Sequence, residues 1–315
     1  MNFNFTNEIN AKVTYFAVLI VIILVSLVFT SPMSVSGSLG VSPGDSFSYT
    51  VTKFTQSISY GSRSVAYNEF IIANSSDRYT AGTVFNIEVL EINEDFIPLV
   101  LYEVTKDTNS INATGSIFGL IVFPLYLLIP MFLILLVNTN VPPNDEVETQ
   151  EPVLTDLATF IPYILPTNGT TDALWSSFED FENETTTEVG DEGSLTLKAY
   201  YTKTDGNFEF GYLFFGTITN NANNNTLTVN SEMRVVYEMA TGVLQGFSFL
   251  IDSFGTIVSQ SFEMDYQIQI VRQGFIGFGA TPGFEFIILF IGLLAVSSLY
   301  LVQKRRKKVS LLGFL

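Results

Sequence analysis

Any acid–base or metal chemistry in this sequence falls to its carboxylates, because the chain has thirty-one Asp and Glu but no histidine and no cysteine. Missing histidine removes the usual general base at neutral pH and the commonest transition-metal ligand. Missing cysteine removes thiol nucleophiles and disulfide braces together. A Ser-His-Asp triad, a cysteine protease and an ordinary zinc centre are thereby excluded on composition. What survives is a carboxylate pair at a defined separation, as in glycoside hydrolysis, yet no spacing singles out such a pair. Asp191-Glu192 and Asp205-Gly206-Asn207 come nearest to calcium loops. The twelve-residue ligand pattern is missing, so both read as solvated turns. The sequence assigns no catalytic residue, no cofactor and no metal site.

Charge says more about location than about reaction. Between residues 31 and 281, eight Lys or Arg stand against twenty-nine Asp or Glu. Such a surface repels nucleic acid, and no nucleic-acid partner is expected. Five of the fourteen Lys and Arg instead cluster at Lys304, Arg305, Arg306, Lys307 and Lys308, directly after the apolar stretch 287–302. An apolar span closed by a basic stop is a membrane anchor, with membrane lipid as its partner. The positive-inside rule keeps the basic end cytoplasmic and the preceding chain extracellular.

Pro282, Gly283 and Phe284 stand just before that span. The order of a PGF motif, an apolar span and a basic cluster resembles the PGF-CTERM sorting signals of archaeal surface proteins. The resemblance covers about thirty residues at the carboxyl end. It implies a membrane sorting protease that cuts near the motif and transfers the ectodomain to a lipid. The chain departs from the pattern in one respect: an apolar tail, residues 309–315, follows the basic cluster. A permanent single-span helix is the alternative to processing.

At the amino end, apolar residues 13–30 follow Lys12 and precede the small residues Ser34 and Ser36. This fits a secretory signal cut after Ser36, with an uncleaved signal anchor as the other reading. Residues 117–137 form a third uncharged apolar run, long enough to span a bilayer. Crossing there would send the carboxyl anchor outward and expel its basic stop, against the positive-inside rule. Acceptor triplets for N-glycosylation lie on both flanks, at Asn74 and Asn112 before it and at Asn168, Asn183 and Asn224 after it. Both observations favour a segment buried under a sheet or dipping into the outer leaflet, with a spanning helix as the rival.

Between the terminal segments the chain reads as mainly β. Residues 264–270 alternate apolar and polar side chains at period two, the mark of a strand with one buried and one wet face. Segments 47–51, 195–201, 208–215 and 233–239 behave similarly, with Phe208, Phe210, Tyr212 and Phe214 on one face. Ala240-Thr241-Gly242 marks a tight reversal before a further strand at 243–251. Short polar turns between consecutive strands imply antiparallel meanders. Val153, Leu154, Leu157, Phe160, Ile161 and Ile164 recur at helical spacing, and Leu174, Trp175, Phe178 and Phe181 form a shorter apolar cluster. Residues 145–151 and 179–192 read as acidic, Thr-rich loops. Residues 274–283, with four glycines among aromatics, read as a flexible stalk.

The expected architecture is an antiparallel curved sheet or sandwich with a few helices, plus hydrophobic membrane segments at both ends. Its parts are a signal region at 1–36, a β-rich ectodomain at 38–278 and an anchor with a basic cytoplasmic tail at 279–315. The ectodomain divides into halves at 38–140 and 150–278. Three pieces of it, Gly40 through Asp45 to Tyr49, Gly82-Thr83-Val84-Phe85, and Tyr237 through Thr241-Gly242 to Leu244, resemble the choice-of-anchor family of archaeal surface domains, S type. That resemblance implies a surface-attached domain with no assigned reaction. The surplus of apolar material in 117–137 and in the aromatic strands points to a non-enzymatic domain that binds an apolar ligand or lipid. A structural or adhesive envelope component and a carboxylate-based hydrolase are the alternatives.

If the carboxyl end is processed, mass spectrometry of the mature protein will find no peptide from residues 304–315. Recovery of an intact tail peptide leaves the permanent helix as the only anchoring mode.

Overall fold

The computed structural model describes residues 40–72, 77–93, 99–116, 153–154, 163–164, 185–190 and 193–278, together with Tyr126, Ile129, Pro130, Leu133 and Val137. The strands are β1 (Ser46–Tyr60), β2 (Arg63–Tyr67), β3 (Glu69–Ile72), β4 (Arg78–Thr80), β5 (Val84–Asn93), β6 (Leu99–Lys106) and β7 (Asn109–Ser116). They continue as β8 (Val153–Leu154), β9 (Thr185–Gly190), β10 (Gly193–Thr204), β11 (Asn207–Asn220), β12 (Asn225–Glu238), β13 (Leu244–Ile257) and β14 (Gln260–Arg272). Eleven of them make one antiparallel sheet in the order β7-β6-β5-β1-β14-β13-β12-β11-β10-β9, with β2 paired to β1 outside that path. A second sheet of three short strands has the order β4-β3-β8.

Two meanders build the large sheet, one from β5 to β7 and one from β9 to β14. The pairing of β1 with β14 joins them, running from Tyr49 opposite Arg272 to Tyr60 opposite Phe262. One sheet thus passes through both expected halves. A bulge between Val51 and Lys53 restores the side-chain alternation, so that Tyr49, Val51 and Phe54 all point to the same buried face.

The turns follow from the residues at their tips. Thr204 pairs with Asn207, leaving Asp205 and Gly206 as a two-residue connection with φ of +52° and +78°. Positive φ at both central positions matches the right-handed twist of the flanking strands, and Asp-Gly suits it. The expected reversal at 240–242 is present, with Gly242 at φ +69°. Val258 and Ser259, between β13 and β14, take φ of +50° and +61° without a glycine. Such a backbone is costly for a β-branched residue and persists only when its surroundings hold it. Asn225, fully buried, does so: its Oδ1 accepts the Val258 N–H at 2.8 Å while its Nδ2 donates to the Val137 carbonyl at 3.0 Å.

Two expectations are corrected. The helical spacing over 153–164 does not produce a helix at its described positions. Val153 and Leu154 form β8, parallel to Ile71 and Ile72 of β3, and Ile164 makes an antiparallel bridge with Val243. The edge of β3 and the backbone at the start of β13 need hydrogen-bond partners, and that demand outweighs a weak helical period. The acidic loop expected over 179–192 contains β9, whose Thr185 to Gly190 pair with Lys198 to Gly193 of β10. Its run of β-branched threonines suits a pleated ladder better than a loop. The cluster at 174–181, both terminal apolar segments, the PGF motif and the basic stop lie outside the described residues.

Tyr163 ties the layers together. It is 1 % exposed, and its ring centroid lies 5.1 Å from Tyr49, 5.8 Å from Tyr102 and 6.3 Å from Phe85. Its carbonyl accepts the Leu244 N–H at 2.8 Å, and the Leu244 carbonyl in turn accepts the Tyr49 hydroxyl at 2.9 Å. Replacing Tyr163 by Ala deletes a fully buried ring that contacts three strands. The substitution is expected to cost about 3–5 kcal/mol, measured by chemical denaturation of the purified chain.

Candidate functional site

Period-two alternation places the apolar side chains of the large sheet on one face. Phe208, Phe210, Tyr212 and Phe214 of β11 lie on it, as the sequence indicates, and all are buried. Register then carries the layer across the neighbouring strands. Tyr212 stands opposite Met233, Met233 opposite Phe249, and Phe249 opposite Ile268. In the adjacent row, Phe214 stands opposite Ser231, Ser231 opposite Ile251, and Ile251 opposite Tyr266. The layer continues through Phe54 and Tyr49 of β1 to Phe85 of β5 and Tyr102 of β6.

The run at 117–137 contributes to the cover of this face. Its described positions are helical, and Tyr126, Pro130, Leu133 and Val137, spaced as one side of a helix, are buried while Ile129 is 38 % exposed. Tyr126 lies against the sheet, its ring centroid 5.3 Å from Phe247 and 4.8 Å from Phe249. Among the described residues no helix is long and apolar enough to cross a membrane. At the other end of the sheet, Phe70 of β3 and Tyr79 of β4 stack on each other and reach Phe54 and Phe85. Burial pushes the Tyr79 hydroxyl up to about 12, with Asp77 and Asp107 adding to the rise.

Polar atoms interrupt this apolar layer. The hydroxyls of Tyr126, Tyr212, Tyr266 and Ser231 are buried and find no hydrogen-bond partner among the described residues. The Tyr102 hydroxyl, nearer Tyr163, is in the same condition. Buried hydroxyls are normally satisfied, so these ask for an explanation. Burial raises the Tyr212 and Tyr266 hydroxyls far above the ordinary phenol value, and the Ser231 hydroxyl opposes that rise at Tyr212. All stay neutral at any physiological pH. The sequence does not single them out, since a tyrosine in a strand ordinarily sends its hydroxyl to water or a partner.

The opposite face carries the charges. Arg234 of β12, 7 % exposed, meets Glu209 of β11 through Nη2 and Nε at 2.7 and 2.8 Å, and the Tyr200 hydroxyl donates to the same carboxylate at 3.3 Å. On the aromatic side, at the end of β14, Arg272 stands opposite Tyr49, pairs with Glu238 at 3.2 Å and lies over the Phe47 ring at 4.8 Å. Asp252 and Asp265 sit directly opposite one another on β13 and β14. They are one opposed carboxylate pair, as are Glu88 and Glu103 on β5 and β6, and Asp252 is exposed on the sheet surface. Among the described residues no group of three or more carboxylates converges to hold a metal ion. Asp205, once considered for calcium, occupies the β10–β11 turn described above, and Asp191-Glu192 lies outside the described residues.

Of the glycosylation acceptors, Asn112 lies on β7 and Asn224 at the β11–β12 turn with φ +54°, both exposed. Asn74, Asn168 and Asn183 lie outside the described residues. No protein-family model matches the chain, and no curated protein or solved structure matches it significantly. The segments 40–49, 82–85 and 237–244 meet in space. A Cβ on Gly40 would fall 2.6 Å from Thr241 Cα, Tyr49 stacks on Phe85 at 5.7 Å, and the Tyr49 hydroxyl bonds the Leu244 carbonyl.

The opposed aspartates generate a pH effect with a defined sign. Partial burial, then Asp265 and Glu263, raise the Asp252 pKa above 3.8. The folded state binds this proton more tightly than the unfolded chain, so stability falls as pH rises from the ordinary carboxylate value through the raised one. Asp252→Asn is expected to flatten that part of the pH–stability profile. At neutral pH it adds about 0.2–1 kcal/mol, toward the lower end because the site is exposed. Thermal melts from pH 3 to 7 on both proteins measure the effect.

Proposed function

We propose that this chain is a cell-surface ectodomain, held at its carboxyl end by 287–302 and its basic stop, that binds an apolar ligand or lipid without chemical turnover. The observation that carries this reading is the aromatic face of the eleven-stranded sheet, which includes buried hydroxyls without hydrogen-bond partners among the described residues. Small-molecule sites are lined mainly by apolar and aromatic groups with a few polar ones, and this face has that composition. The PGF-type carboxyl end and the pieces resembling choice-of-anchor domains support attachment at the cell surface, with the membrane and a sorting protease as partners.

The lack of histidine and cysteine and the exposure of Asp252 on the sheet surface favour the non-enzymatic reading. A carboxylate hydrolase needs its two acids flanking a bond in a cleft that orients the substrate. The structural or adhesive alternative has no feature of its own among the described residues.

Native mass spectrometry of the full chain, purified from its native membrane in detergent, tests the proposal. The expected result is a retained apolar ligand or uptake of an added long-chain probe. A ligand-free protein that also takes up no probe overturns it.

A further inference from the structure

We propose that Phe275, Ile276 and Phe278 form an interfacial segment that lies in the head-group layer of the membrane and brings the end of β14 down to the bilayer. This deepens the reading above and rests on its carboxyl anchor. Ile276 is 103 % exposed, whereas the other exposed large apolar side chains among the described residues, Val84, Leu90, Ile129 and Phe254, reach at most 50 %. Its backbone is nonetheless a defined one. The Gln273 N–H bonds the Ser48 carbonyl at 2.8 Å, and the Phe275 N–H turns back to the Arg272 carbonyl at 3.1 Å. Gly274 and Gly277, on either side of Phe275 and Ile276, take φ of +90° and +105°, a region in which a side chain is strained. The turn after β14 therefore holds a large apolar side chain entirely in solvent.

The partner follows from where the chain goes next. Residues 273–284 carry no charge, although Asp and Glu outnumber Lys and Arg by twenty-nine to eight over 31–281. This stretch thus escapes the repulsion from anionic head groups that the rest of the surface meets. Ile276 and Ile287, where the apolar stretch begins, are eleven residues apart, at most about 40 Å of fully extended chain. So short a tether keeps the segment at high local concentration beside the lipid, where even a weak preference for the interface is realised. The stretch 287–302 has sixteen residues, fewer than the roughly twenty that span a bilayer, and a short span draws its flanks toward the membrane. Phe and Ile side chains suit the boundary between head groups and acyl chains.

The chain has no cysteine, so Ile276→Cys supplies a single labelling position, and its full exposure leaves packing undisturbed. Thr108→Cys, in the exposed β6–β7 turn, is the control. Each full-length variant is labelled with an environment-sensitive fluorophore and reconstituted into phosphatidylcholine vesicles. Head-group nitroxide lipid is the quencher in one series, and iodide in the bulk water is the quencher in another. At 276 the expected result is blue-shifted emission, severalfold stronger quenching by nitroxide lipid than at 108, and weaker quenching by iodide. Adding Phe278→Asp is expected to return the 276 label to the behaviour of the control, because a charge opposes insertion. Quenching at 276 unchanged by Phe278→Asp would come from the short tether or the label itself and overturns the proposal. Equal nitroxide quenching at both positions, in protein that floats with the vesicles, overturns the interfacial segment and leaves the anchor standing. A 276 label shielded from iodide but untouched by nitroxide lipid marks contact with a second copy of the chain and overturns it as well. Protein that does not float with the vesicles overturns the anchor reading and this inference together.

Discussion

A sheet of eleven strands with one apolar face cannot leave that face in water, and most features of the described structure answer this constraint. Each buried aromatic contributes about 1.5–3 kcal/mol only if another layer excludes solvent from it. Tyr163 and Ile164 cover the region where β1, β5 and β6 meet. Phe70 and Tyr79 extend the cover toward Phe54, Tyr126 lies against β13, and Val137 is bonded to β12. The polar ties hold the cover rather than the sheet: Leu244 bonds Tyr163, and Asn225 bonds Val137. Asn225 also restrains the strained turn at Val258, so the end of the covering segment and the end of a hairpin share one side chain.

Much of the sheet was legible from local pattern because a half-buried strand writes its period directly into sequence. The alternation at 264–270 and 208–214 and the glycine at 242 each correspond to a strand or turn in the structure. Partner choice was not legible, since nothing local to Ser46–Tyr60 identifies Gln260–Arg272 as its neighbour. The run at 117–137 was opaque for the opposite reason: apolar on every side, it has no period to read. Only contact with a one-sided sheet distinguishes Tyr126, Leu133 and Val137 from Ile129. β8 and β9 were missed because pairing to an existing edge decided their conformation. The buried hydroxyls were invisible for a related reason, since only packing of the layers puts them under cover. The opposed aspartates likewise exist only once β13 and β14 are aligned.

The two faces of the sheet solve different electrostatic problems. On the charged face, Arg234 is nearly buried, and Glu209 with the Tyr200 hydroxyl supplies the compensation a desolvated guanidinium requires. The buried hydroxyls of the apolar face are neutral, so lacking partners among the described residues costs far less than an unpaired charge would. A fold can carry such groups, whereas an unpaired ion there would shift its protonation or force a rearrangement.

The beginning of β1 lies beside the end of β14: Tyr49 pairs with Arg272, and the Gln273 N–H bonds the Ser48 carbonyl. Both ends of the sheet domain therefore leave from one spot. A single tether and a double tether would hold this domain at the same point and leave the same surfaces free. Mechanical load applied between the two ends would open the β1–β14 seam rung by rung, like a zip, rather than shearing all of its hydrogen bonds together. Pull applied between one end and a distant part of the sheet would load many rungs in parallel, so the direction of tension decides how firmly the fold resists it.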